Sequence, residues 1–334
     1  MCQRENKVEK YINKIINADC MEILKQLPDK CIDLVLTDPP YNIAIAKWDK
    51  WKRQEDYINW LGGVFKECQR VLKDNGSFYF FHNDFLQIVE IQNFLNKNTN
   101  FIFKQFITWN KKFRGSKNEG FLQGYNEIEN LRNYQKFAEY CLFYTFQDET
   151  GLERVKEVMP NPFAQYLTKE FQKAKVTRKE IAKLFPSKTG GLTGCVSNWL
   201  NGDSIITKEQ YLKIKNYLGK DYFKREYEDL RKEYEDLRYT FNNQKTHHSV
   251  WNYDIAKKQF NEHLTPKPIP LIENILKYSS NENGLVLDCF SGSGTTAIAC
   301  RNLNRRFICI EKDKDYYEKS VERLNNAKAQ LKLF

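Results

Sequence analysis

An apolar run, Ile32-Asp33-Leu34-Val35-Leu36-Thr37, stops on Asp38-Pro39-Pro40-Tyr41. Two successive prolines lack the amide donors of a central strand and lock their own φ, so a buried strand must end here in a rigid loop. A second enforced break lies far downstream. Gly284-Leu285-Val286-Leu287-Asp288 reads as a strand, Cys289 to Gly294 as a glycine-containing turn, and Thr295 to Asn302 as the helix that follows. Phe307-Ile308-Cys309-Ile310-Glu311 is then a strand ending in an acid, and a polar helix with Tyr317, Val321 and Leu324 on one face runs on from Asp315.

The rest of the first third has the same grammar. Ile58, Leu61, Phe65, Val71 and Leu72 give helical spacing over residues 56–72. Asp74-Asn75-Gly76 is expected to turn the chain into a strand at Ser77-Phe78-Tyr79-Phe80-Phe81. Phe101 to Trp109 and Glu139 to Phe146 are two further β-rich runs, and Pro270 to Tyr278 is helical. Strands alternating with helices predict an α/β fold with βαβ units and a mostly parallel sheet.

Residues 160–245 differ. Thr177-Arg178-Lys179-Glu180 and Thr207-Lys208-Glu209-Gln210 are capping-box starts, and a short run from Leu192 to Leu200 lies between them. Three short helices joined by tight loops are similar to a helix-turn-helix unit. The heptad pair that begins at Glu226 and Glu233 puts Tyr227, Leu230, Tyr234 and Leu237 on one stripe. Two heptads are short of a coiled coil, so a single helix docked on its own protein is expected, with a dimer contact as the other reading. The expected organisation is a catalytic half over 1–159, a helical insertion over 160–245 and a ligand-binding half over 246–334.

Charge is concentrated in the same place. The chain carries 53 Lys and Arg against 43 Asp and Glu, a net +10. Residues 160–223 hold eleven of the basic and five of the acidic residues. That balance suits a polyanionic partner, with Lys188, Ser197 and Asn198 as candidate DNA contacts, or else a solvated helical face. A second basic run, Lys104, Lys111, Lys112, Arg114 and Lys117, follows a strand and would touch phosphates, or again only solvent. With 41% apolar residues the chain has ample core, and no apolar run approaches the roughly 18 residues of a membrane span. The charged start lacks a signal-peptide core, and the nine cysteines include no C-x-x-C pair. Free, structural thiols in a cytoplasmic protein without membrane contact are therefore expected. His82, His247, His248 and His263 show no metal-ligand spacing, so no metal is expected.

Two motifs carry chemistry. Gly292-x-Gly294-x-x-Ala297 between a strand and a helix lets a nucleotide-like ligand approach backbone without Cβ atoms, and Glu311 at the end of the next strand would accept ribose hydroxyls. NAD and S-adenosylmethionine both fit this motif. Asp38-Pro39-Pro40-Tyr41 suits an exocyclic amine in the plane of a base. Asp38 and the Pro39 carbonyl can each accept an amine hydrogen while Tyr41 stacks on the ring. Those two hydrogen bonds disfavour delocalisation of the nitrogen lone pair, which then points at an electrophile.

With these motifs the sequence resembles the amino-methylating DNA methyltransferases that use S-adenosylmethionine. The order Asp38–Tyr41, variable region, Phe290-x-Gly292-x-Gly294 matches their circularly permuted β group. The resemblance covers roughly residues 11–146 and 250–325. It implies a Rossmann-like methyltransferase sheet, circularly permuted, with a helical target-recognition insertion. Asn17-Ala18-Asp19-Cys20 resembles the segment whose acid contacts the cofactor adenine, which marks Asp19 and Cys20. His263-Leu264-Thr265-Pro266-Lys267-Pro268 resembles a segment bordering the methionine end, departing at Leu264 and Pro266, so Thr265 and Lys267 carry over. Phe290 would pack on the cofactor, with Asp288, Gly292, Gly294 and Thr295 beside its methionyl part. Thr108-Trp109-Asn110-Lys111 resembles a strand end whose aromatic residue flanks the flipped base.

The resemblance implies direct transfer of the methyl group to the amine, with Asp38, Pro39, Pro40 and Tyr41 as the catalytic loop and no enzyme nucleophile. The pattern beginning with Asp is commoner among adenine-N6 enzymes, and cytosine-N4 methylation is the near alternative. Implied partners are double-stranded DNA, a second copy of the chain and a cognate restriction endonuclease. An NAD-dependent oxidoreductase would use the glycine turn and leave Asp38–Tyr41 idle. A non-catalytic DNA-binding regulator would use only the helical insertion.

Overall fold

The run Ile32–Thr37 forms a strand with no outward polar face, as expected of a strand covered on both sides within a parallel sheet. The computed structural model describes residues 8–44, 49–117, 137–147, 161–187, 190–242, 248–256 and 266–331. In chain order the elements are β1 (Lys14–Asn17), α1 (Cys20–Leu24), β2 (Ile32–Thr37), α2 (Gln54–Val71), β3 (Leu72–His82), α3 (Phe85–Asn98), β4 (Ile102–Asn110) and β5 (Ala138–Thr145). There follow α4 (Pro162–Ala174), α5 (Arg178–Ala182), α6 (Cys195–Asn201), α7 (Lys208–Leu218) and α8 (Tyr227–Leu237). The last are β6 (Val250–Asn252), α9 (Ile269–Ser279), β7 (Leu285–Asp288), α10 (Thr295–Asn302), β8 (Arg306–Glu311) and α11 (Lys314–Leu331).

The strands make one sheet in the order β1-β8-β7-β2-β3-β5-β4-β6. Pairing is parallel except where β5 runs antiparallel to β3 and β4. Two neighbours at the centre set the position of the site. From β2 the chain crosses through α2 to β3 on one side, and from β7 it crosses through α10 to β8 on the other. Where connections from adjacent parallel strands diverge, a crevice opens beyond their carboxyl ends. Leu34 pairs with Val286 and Val35 with Leu287, so the two motifs, on either side of the insertion in sequence, leave the sheet side by side.

One expectation is corrected. Asp74-Asn75-Gly76 does not precede a strand but lies within the span of β3, as an irregularity between the pairs Ile32–Leu72 and Leu34–Ser77. A Cβ on Gly76 would come within 2.6 Å of the Leu72 side chain, so the chain doubles against itself too tightly for any other residue. The main core packs Leu61, Val64, Phe65 and Cys68 of α2 with Phe78 and Phe80 of β3 and Leu285 and Leu287 of β7.

The chain divides into two units, Met1–Phe146 with Thr240–Phe334, and Gln147–Tyr239. The second has its own core of Phe163, Leu167, Ile181, Val196, Trp199, Tyr211, Ile214, Phe223 and Leu230. Both capping boxes form, Thr177 with Glu180 and Thr207 with Gln210. Gly202, at φ +81, closes α6 and leads to the next helix. The heptad stripe is one helix, α8, with Leu230 buried and Tyr227 and Tyr234 packed on that core. No described helix is long and apolar enough to cross a membrane.

Candidate active site

Beyond the ends of β2 and β7 lies a cavity of about 780 Å³. Asp19, Cys20, Asp38, Pro39, Pro40, Tyr41, Lys111, Lys267, Asp288, Phe290, Gly292, Thr295 and Glu311 all line it, so most of the residues singled out from the sequence converge on one space. Asp288 joins the two strand ends. Its Oδ1 accepts from the Thr37 hydroxyl (3.1 Å) and the Phe290 amide (3.1 Å), and its Oδ2 from Thr296 (2.6 Å). Burial pushes its carboxyl up to about 6, the three donors acting against that rise.

The glycine turn is braced on the next strand. Glu311 accepts from the Gly292 amide (2.7 Å) through one oxygen and from the Asp313 amide (2.8 Å) through the other. Burial raises its pKa despite those amides. Gly294 stands at φ +74 and does not line the cavity. A Cβ there would meet Ser320 at 3.1 Å, so glycine is needed for the turn to lie against α11. Asp19 caps α1 through the Met21 amide (2.9 Å) and pairs with Lys312 (3.0 Å). Its burial works upward, but the Lys312 ammonium and the amide together hold the carboxyl below its ordinary value. Cys20 is a buried thiol pushed up by burial, and no described cysteine is in a disulfide.

The proline loop carries a compact charge cluster. Asp38 accepts from the Tyr41 hydroxyl through Oδ1 (2.5 Å) and from the Lys267 ammonium through Oδ2 (2.5 Å). Lys267 also pairs with Glu139 on β5 (3.1 Å), and Glu139 pairs in turn with Lys111 at the end of β4. Burial alone would depress the Lys267 ammonium, but Asp38 and Glu139 hold it above its usual range. Burial would raise Glu139, yet Lys267 and Lys111 keep its carboxyl well below the usual range. Two ammoniums thus stand among two carboxylates, which is what makes a cluster this buried tolerable.

Lys267, expected at the methionine end of a cofactor, has its ammonium on the Asp38 carboxylate of the proline loop. Trp109 is 2% exposed, does not line the cavity, and donates its indole N–H to the Tyr253 carbonyl (2.8 Å). The Lys111 ammonium lies 4.8 Å from the Trp109 ring centroid. Lys112 is half-buried and Arg114 exposed, both away from the cavity wall. In the second unit Asn198 is exposed and Ser197 half-buried on α6. Thr265 and Lys188, with His247 and His263, lie outside the described residues. Among the described residues no group of three or more His, Cys, Asp or Glu gathers as metal ligands would.

Several site residues escaped sequence reasoning. Glu139 is one. Asp49 is another: its carboxylate accepts the amides of Asn42 (2.6 Å) and Ile43 (3.1 Å) and so holds the start of the segment after Tyr41. Trp51 and Trp60, 4.9 Å apart, continue to Phe290 at 5.6 Å from Trp60, giving the cavity an aromatic wall. Tryptophans at residues 51 and 60, flanking a helix start that follows the proline loop, were the available signal.

Known proteins resemble this chain in sequence and in fold. Over residues 32–322 the chain matches the profile of the DNA methylase family N6_N4_Mtase. It is 28% identical over 319 residues to the type II methyltransferase M1.MboII of Moraxella bovis, covering 94% of this chain and 97% of that one. It is 26% identical to the DNA adenine methyltransferase YhdJ of Escherichia coli K12, covering 94% and 83%. Among solved structures, the PvuII cytosine-N4-specific DNA methyltransferase superposes with a TM-score of 0.52 at 13% identity, over 95% of this chain and 91% of that one. The M1.HpyAVI–SAM complex superposes with a TM-score of 0.50 at 21% identity, over 93% and 98%. The sheet is thus the Rossmann-like methyltransferase sheet, and a family match spanning both motifs and the segment between them makes the chain a member of the N6/N4 DNA methylases.

Proposed function

We propose that the chain is a site-specific DNA adenine-N6 methyltransferase of a restriction–modification system, with S-adenosylmethionine as methyl donor. The observation that carries this reading is the Asp38 carboxylate, held in the cavity wall by Tyr41 and Lys267 at the head of a loop with two fixed φ angles. The resemblance to the adenine enzyme YhdJ and to type II methyltransferases points the same way.

The cavity suits the cofactor. Its volume takes a nucleoside with a methionyl arm, Glu311 is anchored by two amides with lone pairs to spare for hydroxyls, and Trp51, Trp60 and Phe290 offer apolar faces. When bound, S-adenosylmethionine supplies a methyl group on a sulfonium, an electrophile. The chain's part is to present the nucleophile. Asp38 and the Pro39 carbonyl accept the two amine hydrogens of a base turned out of the duplex, which leaves the nitrogen lone pair free of the ring. Lys267 and Tyr41 each donate to one Asp38 oxygen, and the carboxylate keeps further lone pairs for an amine hydrogen. An NAD-dependent oxidoreductase gives this cluster nothing to do.

The unit Gln147–Tyr239 is proposed to read the target, with Ser197 and Asn198 on α6 toward DNA and Lys111, Lys112 and Arg114 near the phosphates. Double-stranded DNA is the proposed partner, with a second copy of the chain and a cognate endonuclease as further partners. Chain exit and return both lie in the catalytic unit, where Phe143 and Phe241 stack at 6.2 Å, so the insertion can be excised and replaced by a short linker. The excised protein should retain cofactor affinity in a calorimetric titration and lose site preference on DNA. Loss of cofactor binding with site preference preserved would contradict the assignment. For the target base, nucleoside digestion of DNA from cells expressing the chain should yield N6-methyladenine, and N4-methylcytosine in its place would overturn the adenine reading.

A further inference from the structure

Behind the proline loop stands a buried pair that neither motif contains. Tyr57 on α2 and His82 at the end of β3 are both 0% exposed. The Tyr57 hydroxyl donates to the Pro40 carbonyl (2.7 Å) and lies 2.9 Å from His82 Nε2. The Asp84 amide donates to His82 Nδ1 (3.1 Å), while the Asp84 carboxylate caps α3 through the Gln87 amide (2.9 Å). The His82 ring also packs on Tyr41 with centroids 4.8 Å apart.

These contacts allow one arrangement of protons. Nδ1 accepts from a backbone amide, so it carries no hydrogen. Tyr57 has one hydroxyl hydrogen, given to Pro40, so it must accept from Nε2–H. Burial lowers His82 to about 4, in keeping with a neutral ring, although Asp84 and Glu139 pull the other way.

The backbone gives this chain of hydrogen bonds its purpose. Pro39 and Pro40 have fixed φ, and ψ of Pro39 is confined because a proline follows it. Of the torsions within the two prolines, ψ of Pro40 is the one left unconfined, and the direction of the Pro40 carbonyl reports it. We propose that Tyr57 and His82 are positioning residues for methyl transfer, a hydrogen-bonded brace from the Asp84 amide through His82 and Tyr57 that fixes the Pro40 carbonyl and thereby holds Tyr41 and Asp38 in register for the incoming amine. The proposal rests on the reading of Asp38–Tyr41 as the base-binding loop.

The test pairs kinetics with spectroscopy on the full chain. Tyr57→Phe removes one hydroxyl and keeps the ring, so its kcat should fall about tenfold, the scale of one buried hydrogen bond, with KM for S-adenosylmethionine within twofold of wild type. His82→Gln keeps a donor N–H toward Tyr57 and should recover part of the rate lost in His82→Leu. Nitrogen-15 spectra of the imidazole at pH 7 should show a neutral ring with its proton on Nε2. A proton on Nδ1, a Tyr57→Phe kcat within twofold of wild type, or a fall in cofactor affinity that matches the fall in rate overturns the brace. Asp38→Ala run in parallel separates the two ideas. If it is inactive while Tyr57→Phe is fully active, the brace alone fails; if it is active, the reading of the loop fails.

Discussion

Asp38→Ala is expected to abolish methyl transfer while DNA binding holds. The substitution removes the proposed acceptor for the target amine and takes from Lys267 one of its two carboxylate partners, Glu139 remaining. Loss of one preorganised partner of the reacting group costs on the order of 10²–10³-fold in rate, and here the same group also sets the geometry of the Tyr41 hydroxyl. Single-turnover transfer of labelled methyl groups measures the rate, and a binding titration at fixed salt measures DNA affinity. The change makes the pocket more positive, so affinity for DNA should not fall by more than about twofold by that Coulombic reasoning. Weakened binding with an unchanged rate per bound complex would remove Asp38 from its assigned role.

Glu139→Ala should be the most destabilising single change in the site. Glu139 is buried and touches two ammoniums, Lys267 and Lys111. Removing one side of a buried ion pair leaves a charge without its partner, which costs about 3–5 kcal/mol. Urea unfolding at pH 7 measures that loss. A difference under about 1 kcal/mol, the scale of an exposed pair, would mean that solvent already reaches these lysines. The pH dependence has a defined sign. In the fold the Glu139 carboxyl is held below its unfolded value, so its contribution is fully present above the ordinary carboxylate range and fades as pH falls through the folded value. The gap between wild type and Glu139→Ala should therefore narrow in acid.

The elements legible in the sequence are those with length and pattern. Ile32–Thr37 and Thr295–Asn302 form over the residues their apolar content and glycine turn implied, and α2 extends the predicted helix by two residues at its start. β1 and β6 could not be read, because four and three residues hold too little periodicity to stand out from a loop. β6 is defined by its pairing with β4, where Trp251 stands opposite Trp109. The same limit governs the site. Asp38, Gly292 and Glu311 announce themselves through local chemistry at a chain break. Glu139 sits in Phe137-Ala138-Glu139-Tyr140, an ordinary strand start, and acquires its role from lysines that only the sheet brings near. Tyr57 looks like one more apolar position of a helix until its hydroxyl is seen on Pro40.

The order of strands has a consequence for how the molecule comes into being. β8 and β7 stand between β1 and β2, so the two earliest strands are separated in the finished sheet by the two latest. While the chain is being made, β2 presents an unpaired edge until β7, ending at residue 288, has left the ribosome, and β1 waits for β8 until residue 311 has followed. Pairings this distant along the chain pay their loop-closure entropy late and fold slowly. A nascent chain halted before β7 would hold Asp38–Tyr41 at the end of an open edge, a template for association with other chains.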